Sequence, residues 1–143
     1  MTLTNMIPLQ EHLKEFGMKN CPVEISVKLM GKKYTMNIVR NMLLLKQKRF
    51  NEFLNSLEGI NTKTLSVRLR NMEDAGLITR KVIGTRPLKV EYYLTKKGEA
   101  LAPIMIEMAI FSMQWEPKKI FENKKPHTIK EAFGTEMLAT IWD

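Results

Sequence analysis

Two sets of residues in this sequence could do chemistry, one through positive charge and one through sulfur. The first set consists of two cationic hydrogen-bond donors, a hydroxyl and an apolar group that lie close together in the sequence: Lys63, Arg70, Thr64 and Val67. Lysine and arginine donate to phosphate oxygens and to base edges, and hydroxyl and apolar groups complete such contacts. The second set is Cys21 alone, whose thiol can be oxidised or alkylated.

The first set lies on one face of a predicted helix that starts at Asn61 or Thr62 and ends near Ala75. On a helical wheel Leu65, Leu69 and Met72 define the core face of this helix. The opposite face carries Lys63, Val67, Arg70 and Asp74, flanked by Thr64 and Asn71. Arg68 lies nearer the core side, which favours a phosphate contact or an internal ion pair over base recognition. The alternative interpretation is that this face is only solvated.

A basic β-hairpin is predicted directly after this helix. Its arms are 77–83 and 89–94, rich in β-branched and aromatic residues, and Gly84 to Pro87 form the loop. Arg86 lies at the tip, with Lys81 and Lys89 on the arms, and an arginine on a projecting loop can enter a narrow minor groove. Lys32 and Lys33 precede a further predicted helix, whose N-terminal amides favour phosphate. All five could equally be ordinary surface residues.

Amphipathic helices precede and follow these elements. The apolar spacing and the Pro and Gly positions predict helices at 8–16, 22–30, 34–45, 49–57 and 95–115. The third of these has an apolar stripe of Ile38, Met42 and Leu45. Thr128 to Glu131 has the form of a capping box, and Ile129, Phe133, Met137 and Ile141 follow at helical steps.

This order of elements predicts a mainly α fold with a small β-hairpin (α+β), a winged helix-turn-helix with extra terminal helices. The predicted domains are an N-terminal helical arm (1–20), a DNA-binding winged helix (21–97) and C-terminal dimerisation helices (98–143). In a helix-turn-helix the second helix enters the major groove, and a wing can touch flanking backbone or minor groove. The sequence therefore predicts double-stranded DNA as a partner.

The apolar faces exceed what one core can hide, which predicts a homodimer. The predicted interface residues are Leu9, Leu13, Phe16, Ile104, Met108, Phe111 and Trp115. A monomer would expose them as a large apolar patch, whereas a two-fold axis would bury them and place two recognition helices about one DNA turn apart. The tail at 116–143 could join this interface or fold back on its own subunit, and the sequence leaves both open.

Composition and charge support the same class. The chain has 143 residues, 44% of them hydrophobic, which is typical of a globular protein. Between Lys28 and Lys97 lie 16 Lys and Arg against 5 Asp and Glu, whereas the whole chain has a net charge of only +8. One cysteine and two histidines leave too few ligands for a zinc site, so no metal or cofactor is predicted. No segment suggests a signal peptide or a membrane span, which predicts a cytoplasmic protein without a membrane partner.

Several fragments in order resemble the HxlR family of MarR-like regulators. They are residues 21–24 (CPVE), 31–35 (GKKYT), 49–53 (RFNEF), 59–69 (GINTKTLSVRL), 73–78 (EDAGLI) and 90–98 (VEYYLTKKG). The resemblance covers about residues 21–115 and departs from the family at Tyr34, where a tryptophan is usual. It implies a dimeric winged-helix transcription factor. Some members sense electrophiles or oxidants through a cysteine in the first fragment, and Cys21 matches that position. The placement of Cys21 before a helix N-terminus and after Lys19 agrees with a reactive thiol, although a small capping residue is the alternative.

The sequence thus predicts a regulator, repressor or activator, that binds a palindromic operator as a homodimer. A small molecule or an electrophile acting through Cys21 is the candidate effector. The main alternative is a nonspecific architectural DNA-binding protein, favoured by the net charge; a winged helix used for protein contacts is a further one. An enzyme is not predicted, because the sequence offers no glycine-rich phosphate loop and no nucleophile–base pair.

Overall fold

The computed structural model describes residues 9–134. Its helices are α1 (Leu9–Phe16), α2 (Pro22–Met30), α3 (Thr35–Leu44), α4 (Phe50–Ser56), α5 (Thr62–Asp74), α6 (Lys96–Glu99), α7 (Leu101–Trp115) and α8 (Pro117–Ile120), and its strands are β1 (Ile78–Thr85) and β2 (Leu88–Leu94). A helical stretch also covers 129–134. The described residues form two compact units, which meet between Lys32 and Lys33, inside the predicted winged-helix domain.

The first unit contains α1 and α2, at the positions that the sequence predicts. Pro22 is the first residue of α2, where a missing N–H costs nothing and the fixed φ suits a helix. Cys21 occupies the N-cap with an extended backbone, and its carbonyl oxygen accepts the first helical hydrogen bond, from Ile25 N at 3.1 Å. The unit has no buried residue in either helix.

The core of the second unit lies between α3, α4, α5, β1 and α7. Its fully buried apolar side chains include Ile38, Val39, Phe53, Leu65, Leu69, Met72, Leu77 and Ile78. The predicted stripe on α3 is correct for Ile38 and Met42 and wrong for Leu45, which is 59% exposed because it is the C-cap residue, beyond the last turn. Buried Asn41 is satisfied, since its Nδ2 donates to Ser56 Oγ at 3.0 Å and so joins α3 to the end of α4.

The hairpin is antiparallel and longer than predicted. Thr85 pairs with Leu88, so the connecting loop is Arg86 and Pro87 alone, joined by a cis peptide bond, and Gly84 and Thr85 belong to β1. Ile83 is the extra residue of a bulge between the Val82–Val90 and Gly84–Lys89 pairs. A bulge increases the local twist of a hairpin, and this one lies in the half that carries the loop.

The helix predicted from Thr95 to Trp115 is interrupted at Ala100. Pro103 has no N–H to donate to the Glu99 carbonyl, which explains why α6 ends and α7 begins there. Gly98, in α6, is buried against Leu77, the residue before β1, and Leu94 of β2, and a Cβ at this position would overlap the Leu77 carbonyl oxygen. Glycine therefore permits α6 to approach the backbone at the start of the hairpin.

The segment after α7 forms the short helix α8, which the sequence did not predict, with Pro117 at its first turn.

The capping site at Thr128 is present, because Glu131 N donates to Thr128 Oγ1 at 3.2 Å. His127 lies against Phe121, with ring centroids 4.6 Å apart, and its Nδ1 is 3.0 Å from Glu131 Oε2. Ile129 and Phe133 lie in the helical stretch, and Met137 and Ile141 lie outside the described residues.

Over residues 9–134, none of the helices has both the length and the apolar character that a bilayer span requires.

Candidate nucleic-acid interface

Helix α5 is fixed in place by its cap and its core face. Asn61 Oδ1 accepts the Thr64 N–H at 2.8 Å, which satisfies one of the free donors of the first turn. Leu65, Leu69 and Met72 are buried, as the helical wheel predicts. The helix ends at Ala75, and Gly76 follows with φ +77°, a conformation that glycine adopts without strain. The opposite face of α5 therefore has a defined orientation.

That opposite face is accessible. The side chains of Lys63, Val67 and Arg70 are exposed, and Thr64 is half-buried at the capped end. Val67, 50% exposed, is an apolar group on an otherwise polar surface, as a contact to a thymine methyl requires. The structure thus brings together the four residues that the sequence assigned to base contacts.

Arg68 makes a contact that the sequence did not predict. Its Nε donates to the Lys33 carbonyl oxygen at 2.8 Å, so α5 is joined to the segment before α3 by a hydrogen bond to backbone. The ion pair weighed for Arg68 is absent among the described residues. Lys33 Nζ lies 5.1 Å from the centre of the Tyr34 ring, and Tyr34 OH donates to the Glu58 carbonyl oxygen at 3.3 Å. Lys32 and Lys33 are exposed.

The wing, defined as β1, β2 and the Arg86–Pro87 loop, carries its predicted cations on the surface. Lys81, Arg86 and Lys89 are all exposed. Lys81 is opposite Glu91 and Lys89 is opposite Gly84 in the strand register. The wing presents Arg86 at its tip, with one lysine on each strand.

Two clefts beside the wing are lined by arginines, of which Arg49 and Arg80 were not predicted as site residues. A crevice of about 100 Å³ between α5 and the wing contains Arg70 and Arg80, and Glu73 Oε2 there accepts the Arg80 N–H at 3.1 Å. An open groove of about 380 Å³ is lined by Arg49, Phe50, Asn51, Leu88, Val90 and Tyr92. Arg49 and Arg80 lie in the basic block between Lys28 and Lys97, but only the packing of β1 and β2 shows that they line clefts.

A charged cluster lies where the wing meets the segment before α4. Glu91 is buried, with Oε2 3.1 Å from Lys48 Nζ and Oε1 accepting Tyr93 OH at 2.6 Å. These hydrogen bonds, from Tyr93 foremost and then Lys48, lower the pKa of Glu91. The same contacts raise the pKa of Lys48 and of Tyr93, because each proton is held beside a carboxylate. The cluster is therefore charged and hydrogen-bonded at neutral pH.

The remaining predicted site residues lie on α1, α2 and α7. Cys21 is exposed at the N-terminus of α2. On α7, Leu101, Ala102, Ile106 and Met113 are buried, whereas Ile104, Met108, Phe111 and Trp115 are 41%, 51%, 63% and 70% exposed. Leu9 and Phe16 of α1 are exposed and Leu13 is half-buried. Over 9–134 no group of three His, Cys, Asp or Glu side chains is placed to hold a metal ion.

Comparisons with known proteins agree with this geometry. The family described as "HxlR-like helix-turn-helix" matches residues 29–120. An uncharacterised HTH-type transcriptional regulator of Synechocystis, sll1512, is 37% identical over 95 residues, which is 66% of this chain and 70% of that protein. The HTH-type transcriptional regulator YodB of Bacillus subtilis is 33% identical over 100 residues, 69% of this chain and 88% of YodB.

Two solved structures extend the comparison to the fold. The reduced form of YodB has a TM-score of 0.59 with 34% identity and covers 68% of this chain and 97% of its own. The reduced form of the redox regulator HypR has a TM-score of 0.62 with 30% identity and covers 71% of this chain and all of its own. The predicted winged helix-turn-helix is confirmed.

Proposed function

This chain is a member of the HxlR-like helix-turn-helix family and a transcriptional regulator, and on that premise we propose that it binds a specific, palindromic operator as a homodimer. The observation that carries the proposal is the accessible face of α5, with Lys63, Val67 and Arg70 exposed opposite a buried apolar face. A capped, well-packed helix holds these side chains in one arrangement, which recognition of base edges requires.

In the proposed complex α5 enters the major groove, and Lys63, Thr64, Val67 and Arg70 contact base edges. Arg86 at the wing tip enters or flanks the minor groove, and Lys81, Lys89 and Arg80 contact phosphates. Lys32 and Lys33 are further candidates for phosphate contacts. Arg68 is proposed to hold α5 in position, because its Nε donates a hydrogen bond to the Lys33 carbonyl oxygen.

The second copy is proposed from the two apolar faces of α7. One face packs into the subunit, and the other presents Ile104, Met108, Phe111 and Trp115 to solvent. Soluble proteins rarely expose such a continuous apolar stripe, and a two-fold axis would cover it with its own copy. Leu9, Leu13 and Phe16 of α1 are the proposed contribution of the N-terminal arm to the same dimer.

Cys21 is the proposed sensor of an oxidant or electrophile. Its thiol is exposed at the N-terminus of a nine-residue helix, where an oxidant or electrophile can reach it. Two similar structures are described as a redox regulator in its oxidised form and as diamide-treated YodB, so regulation by oxidation is known among the relatives. Modification of Cys21 would change DNA affinity and so link the signal to transcription.

Selection of binding sites from a pool of random DNA tests the proposal. We expect a palindromic consensus whose half-sites are about one helical turn apart, because two copies of α5 must reach the same face of the duplex. Enrichment without a consensus, at an affinity that depends only on salt, would instead support an architectural DNA-binding protein.

A further inference from the structure

Among residues 9–134, Glu91 is the only buried charged residue, at 8% exposure, and it lies in the wing, where the other charged side chains are exposed. A carboxylate in such a place is costly unless it is paired and hydrogen-bonded. Here both oxygens have partners, Lys48 Nζ at 3.1 Å and Tyr93 OH at 2.6 Å. We call Lys48, Glu91 and Tyr93 the wing-base cluster.

Lys48 also holds the wing through its backbone. Its carbonyl oxygen accepts the Tyr92 N–H at 2.8 Å, so one residue binds two consecutive residues of β2, by main chain and by side chain. Lys48 is itself attached to α4, because Glu52 Oε1 accepts the N–H groups of Lys48 at 3.2 Å and of Arg49 at 3.0 Å. A continuous chain of polar contacts thus runs from the first turn of α4 to the base of the wing.

Outside this cluster, the contacts of the wing also lie near its base: Ile78 of β1 is fully buried, and the Arg80 N–H donates to Glu73 Oε2 of α5 at 3.1 Å. Val82, Ile83 and Leu88, in its outer half, are 46%, 41% and 65% exposed. A two-stranded hairpin is only marginally stable by itself, so its angle to the rest of the domain depends on the contacts at its base. Helix α4 packs against α5, so a link from α4 to β2 also relates the wing to the recognition helix.

We propose that the wing-base cluster fixes the angle of the wing relative to α5, and that Lys48 and Glu91 are positioning residues for the contact of Arg86 with DNA. The inference rests on the proposed DNA binding by the wing. Neither residue touches DNA in this arrangement. When the cluster is lost, α5 can still bind its half-site. The angle of the wing is then no longer fixed, so Arg86 is not held against the flanking groove.

The test uses the variants Lys48→Met and Glu91→Gln and the double variant that combines them. The double variant removes both charges of the Lys48–Glu91 pair, so no buried charge is left without a partner. Lys119→Met is the matched control, because Lys119 also pairs with a glutamate, Glu116 at 3.6 Å, outside the wing. The first readout, hydrogen exchange of the Tyr92 amide in the free protein, needs no DNA. We expect exchange faster by about tenfold in the variants. The Thr95 amide, bonded to the Leu77 carbonyl oxygen at 3.0 Å, serves as the internal reference, and its exchange should accelerate less than that of Tyr92.

The second readout is affinity for two duplexes. The long duplex is one that the intact protein selects from random DNA. Hydroxyl-radical footprinting shows which base pairs the intact protein protects on the flanks of this duplex, and the short duplex lacks them. We expect the preference of the intact protein for the long duplex to fall by about tenfold in the variants, with affinity for the short duplex unchanged within about twofold. The control should keep the preference.

Unchanged exchange at Tyr92 overturns the proposal, and so does faster exchange with an intact preference for the long duplex. If the intact protein itself shows no such preference, DNA contact by the wing is wrong and the positioning role falls with it. The exchange result then still reports whether the cluster holds the wing. A uniform loss of affinity for both duplexes, with Thr95 exchange accelerated as much as Tyr92 exchange, would mean general destabilisation and would likewise contradict the proposal.

Discussion

Arg68 Nε donates to the carbonyl oxygen of Lys33 at 2.8 Å, a hydrogen bond between residues 35 positions apart that joins α5 to the segment before α3. Because Arg68→Ala removes this intramolecular hydrogen bond, we expect it to lower the free energy of unfolding by about 1 kcal/mol. The selected DNA sequence should stay the same. Urea unfolding and repeated site selection measure the two effects. A changed consensus with unchanged stability would show that Arg68 contacts bases instead.

The exposed face of α5 should determine base preference, and the wing tip should contribute affinity without preference. We expect Lys63→Ala or Arg70→Ala to cost about 1–3 kcal/mol on the selected site and to relax base preference. Arg86→Ala should weaken binding to selected and random duplexes alike and reduce the salt dependence by about one phosphate contact. Lys130→Ala, outside α5 and the wing, is the matched control in competition binding. If both α5 variants keep the original site and affinity, α5 is not the recognition helix.

The outer face of α7 should hold the dimer together. We expect the intact chain, of 16.7 kDa, to sediment as a dimer at micromolar concentration. Phe111→Glu should sediment as a monomer, because it places a charge in the proposed apolar interface. Gln114→Glu adds the same charge at an exposed position off the stripe and should remain dimeric. A monomeric intact protein that still binds a palindrome would refute this interface. Deletion of residues 124–143 then shows whether the tail belongs to it.

Cys21 should make DNA binding sensitive to oxidation. Diamide removes two electrons and two protons from a pair of thiols, and each chain has one cysteine, so the disulfide must join two subunits or Cys21 and a small added thiol. We expect diamide to release DNA from the intact protein, and dithiothreitol to restore binding. Cys21→Ser should bind DNA with and without diamide. Equal release of the two proteins in a mobility-shift assay would exclude Cys21 from the response.

Glu91 should contribute to stability in a pH-dependent manner. Its hydrogen bonds lower its pKa from the ordinary value of 4.5, so the carboxylate stabilises the fold at neutral pH. This contribution is complete above about pH 4.5 and is lost as the pH falls through the lowered value, because the folded state then takes up the proton. We expect Glu91→Gln to unfold more easily at neutral pH and to lose less stability than the intact protein on acidification. Urea unfolding against pH measures this, with Glu99→Gln as the control. Parallel curves for the intact protein and Glu91→Gln would be inconsistent with it.

The sequence predicted the features that local signals encode. A cap at Asn61 or Thr62, a helix stop at Gly76 and the buried side of α5 all follow from short patterns, and the structure has Asn61 as the cap. Pro103 was visible in the sequence, but the apolar spacing around it predicted one unbroken helix and hid the interruption at Ala100.

The partners set by tertiary packing could not be predicted in this way. Polar and apolar residues alternate in the sequence of β2, which favours an exposed Glu91, whereas the chain before α4 covers it and brings Lys48 to its carboxylate. The contact of Arg68 with Lys33 and the shared crevice of Arg70 and Arg80 likewise join residues that are distant in the sequence. The identity of the DNA-contacting residues therefore remains a prediction that the fold supports.

The two apolar faces of α7 bear on how this protein withstands heat. If the outer face closes on a second copy, unfolding releases two chains, and mass action then makes the melting temperature rise with protein concentration. The melting temperature would therefore be lowest when few copies of the protein are present. Operator DNA that binds only the dimer would raise the melting temperature. The apolar stripe from Ile104 to Trp115 would thus make the thermal stability of the protein depend on its concentration.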